Sequence, residues 1–292
     1  MSSIHAKISL MVGKGSPKTR IFIRMSSATS NMLALGALLL AVITIRGIWR
    51  GYQRKRIDQL LHTRQGDYDG LLTRYNPYYK SLSSEGRNRF LERVLQFIES
   101  KRFEYIDLEA DERIPLLISA AAVQLTYGLD HFQLDYFKTI YIIKDKYTYG
   151  QSATPFEGHV SQDGIYLSWT NFMREFADYS DGQNVGLHEM AHALTYVNFT
   201  VHDGRDVGFH HAFVNFSAIA RPVYERMRAG EITLLNAYAA TNYQEFWAVS
   251  VETFFERSSD FRNQLPELYT ALCTLLNQDP LTPEKFLPIR AD

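Results

Sequence analysis

Apolar and polar positions along this chain recur with two periods. Over residues 84–100, Phe90, Leu91, Val94, Leu95 and Ile98 return at three- and four-residue intervals, the spacing of one helical face. The run 114–129 is apolar almost throughout and predicts a buried core helix; interrupted by Gln124, it is too short to cross a bilayer. Around residues 187–194, Leu187, Met190, Ala191 and Leu194 make an apolar helical face, with Asp181 or Asn184 upstream as its N-cap. Over 242–256, Phe246, Trp247, Ala248, Val251, Phe254 and Phe255 form a broad apolar surface, and Glu245, Val249, Glu252 and Glu256 line a second stripe. Further helices are expected at 211–228, stopped by Gly230, and at 265–276. Two short runs rich in strand formers complete the set: 139–143, the more buried, and 164–169, read as an edge strand beside the 187–194 helix and able to pair with an extended chain. The predicted fold class is α+β, mostly helical, with a small sheet.

A different pattern occupies the N-terminal part. Met32 to Ile45 is a continuous apolar run of fourteen residues, extended to about 28–49 by small residues before it and by Gly47, Ile48 and Trp49 after it. No acidic residue precedes Asp58, whereas Lys7, Lys14, Lys18, Arg20 and Arg24 lie on one side of the run and Arg46, Arg50, Arg54, Lys55 and Arg56 on the other. The run ends in arginines with no small-residue cleavage site, so a retained single-pass transmembrane anchor fits better than a cleaved signal peptide; a basic organelle-targeting sequence stays open. Residues 1–57 are therefore expected to be a basic segment with a membrane anchor, and 58–292 a separate domain. The denser cluster from Arg46 to Arg56 favours a cytoplasmic position for that domain, more strongly if translation begins at Met25.

Composition removes some function classes. The formal net charge of −1 gives no indication of nucleic-acid binding. A single cysteine, Cys273, allows no internal disulfide and is compatible with a reducing compartment.

The chemistry is concentrated in five residues, His188-Glu189-Met190-Ala191-His192. Residues four apart on a helix stand one turn above each other, so both imidazoles can reach one metal ion, while Glu189, beside the first, can act on a water as a general base. The three fixed letters arise by chance in roughly one chain in a hundred of this length, so the helical context decides, and here the apolar face supports it. A catalytic zinc site takes three protein ligands. A third histidine six residues after the second is excluded, because Asn198 stands there. His202, His210, His211 or a carboxylate of the 242–256 helix remain. Glu245 is one such carboxylate, but Asn242-x-x-Glu245 also matches a capping box; Glu252 is the reserve.

The two blocks His188-Glu189-x-x-His192 and Tyr238-Ala-Ala-Thr-Asn-Tyr-Gln-Glu245-Phe-Trp-Ala-Val249 resemble those of the Mlc titration factor A peptidases. These are zinc-dependent gluzincins whose core is similar to the protease domain of anthrax lethal factor. The resemblance spans roughly 75–275 and implies a zincin-like metallopeptidase domain. It implies that His188, His192 and Glu245 bind Zn2+, that Glu189 is the general base, and that Tyr238 stabilises an oxyanion. Met190 and Trp247 stand where phenylalanines are usual, and 198–208 does not align. It further implies a peptide or protein substrate, and alternatively a binding protein that sequesters a transcriptional repressor or other regulatory partner.

Overall fold

Described residues of the computed structural model are 27–150, 154–175, 178–201 and 206–283. They divide into two compact units, Met1–Asp58 and Gln59–Asp292. Helix α1 (Ser27–Tyr75) begins in the first and ends in the second. Within the first unit Met32, Leu35, Leu38, Leu39, Leu40, Ile43, Ile45 and Ile48 are all exposed, so the helix is apolar around its whole circumference rather than along one stripe. The hydroxyl of Thr44, a polar side chain inside this run, donates to its own backbone at Leu40 O, 2.8 Å away. At ~1.5 Å per residue, residues 28–49 rise about 33 Å, against a hydrocarbon layer of about 30 Å. Among the described residues this is the one helix long and apolar enough to cross a membrane. The basic residues Lys7 to Arg24, and Met25, lie outside the described residues.

The second unit is helical apart from a four-stranded sheet of order β1-β2-β4-β3. Its strands are β1 (Arg102–Ile106), β2 (Thr139–Ile143), β3 (Gly158–Ser161) and β4 (Gly164–Ser168). β1, β2 and β4 are parallel; β3 turns back antiparallel onto β4 through Gln162 and Asp163. Register places Ile140 beside Ile165 and Ile142 beside Leu167, and all four are buried. On the opposite face Tyr141, Tyr166 and His159 stack, with ring centroids 4.4 and 4.2 Å apart.

This corrects the assignment of 164–169 as an edge strand. β4 is paired on both sides, and the edge on its side of the sheet is β3, with β1 at the other edge. Ile165 and Leu167 are fully buried, as an interior strand requires. β3 is four residues long, opens on Gly-His, and lacks a strand signature of its own; pairing with β4 makes it a strand. β1, likewise unexpected, pairs its five residues along β2.

Helices cover one face of the sheet. α3 (Ser84–Ser100) and the almost wholly buried α4 (Arg113–Thr126) pack on each other, and α4 packs on α6 (Val185–Phe199), which lies against β3 and β4. Buried Gln124 on α4 is matched by Asn76, whose side-chain amide donates to it at 2.9 Å. Asn76 caps the short α2 (Pro77–Ser81). α5 (Trp169–Glu175) links the sheet to α6, and α7 (Val207–Arg228) starts four residues before the expected position because Asp206 caps it at Phe209 N. α8 (Tyr243–Glu256) packs on α6, and α9 (Ser258–Gln264) and α10 (Pro266–Leu276) follow.

The chain leaving α10 is locked against the end of α4. Asn277, in the left-handed region at φ 50°, donates to Gly128 O at 2.9 Å. A Cβ on Gly128 would lie 2.2 Å from Asn277 O and 2.3 Å from Leu276 O. The obstruction is backbone and cannot rotate away. Gly128→Ala is expected to cost about 1–3 kcal/mol or more, measured as denaturant stability of the purified protein; unchanged stability would contradict this close approach.

Candidate metal centre

Asn184, rather than Asp181, caps α6: its side chain accepts the Leu187 N–H at 2.9 Å. The helix buries Leu187, Met190, Ala191 and Leu194, which turns His188 and His192 toward a cleft. Their Nε2 atoms are 3.0 Å apart. At the start of α8, Asn242 accepts the N–H groups of both Gln244 and Glu245 through its side chain, at 2.9 and 3.0 Å. The cap is thus completed by asparagine, and the Glu245 carboxylate lies 2.9 Å from His188 Nε2 and 3.4 Å from His192 Nε2. These three form the one His/Cys/Asp/Glu group among the described residues able to hold a metal.

The donor set fits zinc. Three corners of a tetrahedron with bonds of ~2.0–2.1 Å lie about 3.3 Å apart, and the observed separations run from 2.9 to 3.4 Å. Two ring nitrogens and a carboxylate converge where a dication would satisfy all three. His210 does not join them; its ring stands 5.1 Å from Phe199. His211 is outside the group as well, and His202 lies outside the described residues.

Glu252, two turns after Glu245, meets the other side of the same imidazole. Its Oε1 is 2.6 Å from His188 Nδ1, and its Oε2 accepts the Asn184 N–H at 2.8 Å. The reserve ligand therefore backs His188 instead of facing the donor triangle. Burial opposes charge on His188, but Glu252 and Glu245 outweigh it and push its pKa well up. Burial also works against ionised Glu245, yet His188 and His192 hold it down at about 2.

More carboxylate gathers at the N-terminus of α6, where backbone N–H groups and the helix dipole favour it. Glu175, ten residues earlier and absent from the sequence reading, accepts from Val185 N. Burial pushes its pKa up to about 7. Glu256 accepts from the Asn184 side chain at 3.0 Å, but its Oε2 is buried without a partner.

Glu189 is 4% exposed, and its Oε2 also has no hydrogen-bond partner. Burial raises its pKa to about 7, with His188 and His192 pulling the other way. Edge strand β3 presses on it: a Cβ on Gly158 would lie 2.6 Å from Glu189 Cγ. The cleft has a volume of about 440 Å³, and aromatic Phe156, Phe199, Phe213 and Trp247 contribute to its walls. Tyr238, on the 3-10 turn Ala237–Ala240, stands on its rim, 53% exposed, with its ring centroid 6.2 Å from that of His188.

Glu256 yields a prediction with a defined sign. Burial raises its folded pKa from 4.5 to about 9, so the folded state holds this proton more tightly and loses stability as pH rises between those values. Glu256→Gln should be more stable than the parent by about 1–3 kcal/mol near pH 8, with the difference gone below about pH 4, read from denaturation at both pH values. A parent equally stable to the variant at both would contradict the buried neutral carboxyl.

Comparison with known proteins supports the family resemblance. An uncharacterized protein of Synechocystis sp. is 25% identical over 224 residues, 70% of this chain and 81% of its own. Mlc titration factor A of Enterobacter sp. is 26% identical over 227 residues, 70% and 84% of the two chains. That of Yersinia pestis reaches 33% over 131 residues, 41% and 46% of the two chains. Residues 49–276, a stretch containing α6, Tyr238 and α8 together, match a family of metallopeptidases, whose activity implies a bound metal. The chain belongs to the glucose-regulated metallo-peptidase M90 family.

Proposed function

We propose that the protein is a membrane-anchored zinc peptidase, with His188, His192 and Glu245 as zinc ligands and Glu189 as general base. The observation that carries this reading is the donor triangle, 2.9–3.4 Å on its sides, with the buried Glu189 carboxylate and its unpartnered Oε2 beside it. When bound, zinc would polarise the scissile carbonyl and acidify the attacking water. Glu189, buried and with its Oε2 unpartnered, accepts the proton of that water and passes it to the leaving amine. The hydroxyl of Tyr238 is the available donor on the rim for the developing oxyanion. The free edge of β3 offers backbone groups to an extended peptide lying in the cleft.

The apolar helix within 28–49 serves as the anchor of a peptidase domain over 58–292. The cluster from Arg46 to Arg56 beside it favours a cytoplasmic position for that domain. A second reading, a binding protein for a regulatory partner, is favoured by the name of the relatives, Mlc titration factor A. Glu189 argues for catalysis, since a pure binder has no use for a buried carboxylate with an unpartnered oxygen next to metal ligands.

Three variants of the full chain in detergent separate these roles. Glu189→Gln should keep its zinc and lose about 10²–10⁴-fold in peptide turnover. Glu245→Ala should lose the zinc itself, by elemental analysis. Gly158→Ala should keep zinc but lower turnover about tenfold or more by displacing Glu189. Ordinary activity in Glu189→Gln would remove the mechanism, and metal-independent activity under chelation would remove zinc; zinc binding without cleavage of any peptide would favour the binder.

A further inference from the structure

Two carboxylates of α8 bracket one imidazole of α6. Glu245 and Glu252 are seven residues apart, two turns along the same helix face, and they reach opposite nitrogens of His188 at 2.9 and 2.6 Å. Either nitrogen of a neutral imidazole can carry the proton. An acceptor at Nδ1 places the proton there and leaves the Nε2 lone pair directed at the donor triangle. Glu252 is itself held: it is buried, and its second oxygen accepts the backbone N–H of Asn184, the N-cap of the helix that carries His188. Cap, carboxylate and ring thus form a closed loop between the start of α6, Asn184 to His188, and one residue of α8.

We infer that Glu252 is a positioning residue for metal binding: it fixes the tautomer and ring orientation of His188 without touching the metal. The inference rests on His188 being a metal ligand, as proposed above. The alternative is a structural bond joining α6 to α8. Glu256 provides the contrast, because it bonds the same Asn184 from the next turn of α8, at 3.0 Å, without contacting His188. A purely structural role would be shared by the two glutamates; a positioning role belongs to Glu252 alone.

The test uses the full chain in detergent, with Zn2+ affinity measured by competition against a chromophoric chelator. Glu252→Ala is expected to weaken zinc binding about 10–100-fold. Glu256→Ala should stay within about threefold of the parent. Glu252→Gln, whose carbonyl can still accept from Nδ1, should recover most of the loss. Nitrogen NMR of the histidine-labelled protein supplies a readout that helix stability does not move. The parent should show His188 protonated at Nδ1, and Glu252→Ala should lose that signature. Parent-like affinity with an unchanged His188 tautomer in Glu252→Ala would overturn the inference, as would equal losses in the two alanine variants. His188→Ala is the control for the underlying reading: if it too retains parent-like zinc affinity, the ligand set is at fault rather than Glu252.

Discussion

The packing of α6 on α8 is the constraint from which the rest of the centre follows. Those helices are far apart in sequence, and each buries an apolar face: Leu187, Met190 and Leu194 on one, Phe246, Val251 and Phe254 on the other. What they leave at their junction is polar and charged: two imidazoles and the carboxylates of Glu189, Glu245, Glu252 and Glu256. Burying that many carboxylates is unfavourable unless each finds a positive or donating partner. Glu245 finds the histidines, Glu252 finds His188 and a helix N-terminus, and Glu256 is left with one unmet oxygen. A cation at the donor triangle would compensate this excess, so the fold that creates the charge also creates the demand for a metal.

Much of this was legible in sequence because it is local. The α6 motif declares itself through four-residue spacing, a neighbouring apolar face and an upstream cap, and α8 through its aromatic stripe. Glu245 was ambiguous for a physical reason: a glutamate three residues after an asparagine can close a helix start or reach outward. In the fold Asn242 accepts both leading N–H groups, and the Glu245 carboxylate lies beside the two imidazoles. The part played by Glu252 needed the relative placement of two helices, which no periodicity encodes. Glu175 reaches Val185 across a loop, again a matter of tertiary structure.

The sheet shows the same division. β2 and β4 have strand-forming side chains, and their interior positions follow from burial on the helical side. β3 has almost none, and it exists as a strand because β4 offers it a ladder. Its poverty of side chain is also its use, since Gly158 allows the backbone to approach Glu189 where any Cβ would collide. In the first unit, by contrast, composition alone is informative: an apolar circumference with an internally satisfied threonine describes a helix suited to lipid whatever follows it.

The central claim, that two imidazoles and one carboxylate hold a single zinc ion, is most directly tested by X-ray absorption at the zinc edge of the purified full-length protein. The account predicts two imidazole nitrogens at ~2.0–2.1 Å and only oxygen in the remaining shell, at ~2.0–2.2 Å, with the imidazole scattering reduced by one ring in His192→Ala. Sulfur in the shell, or a spectrum without imidazole scattering, would contradict it.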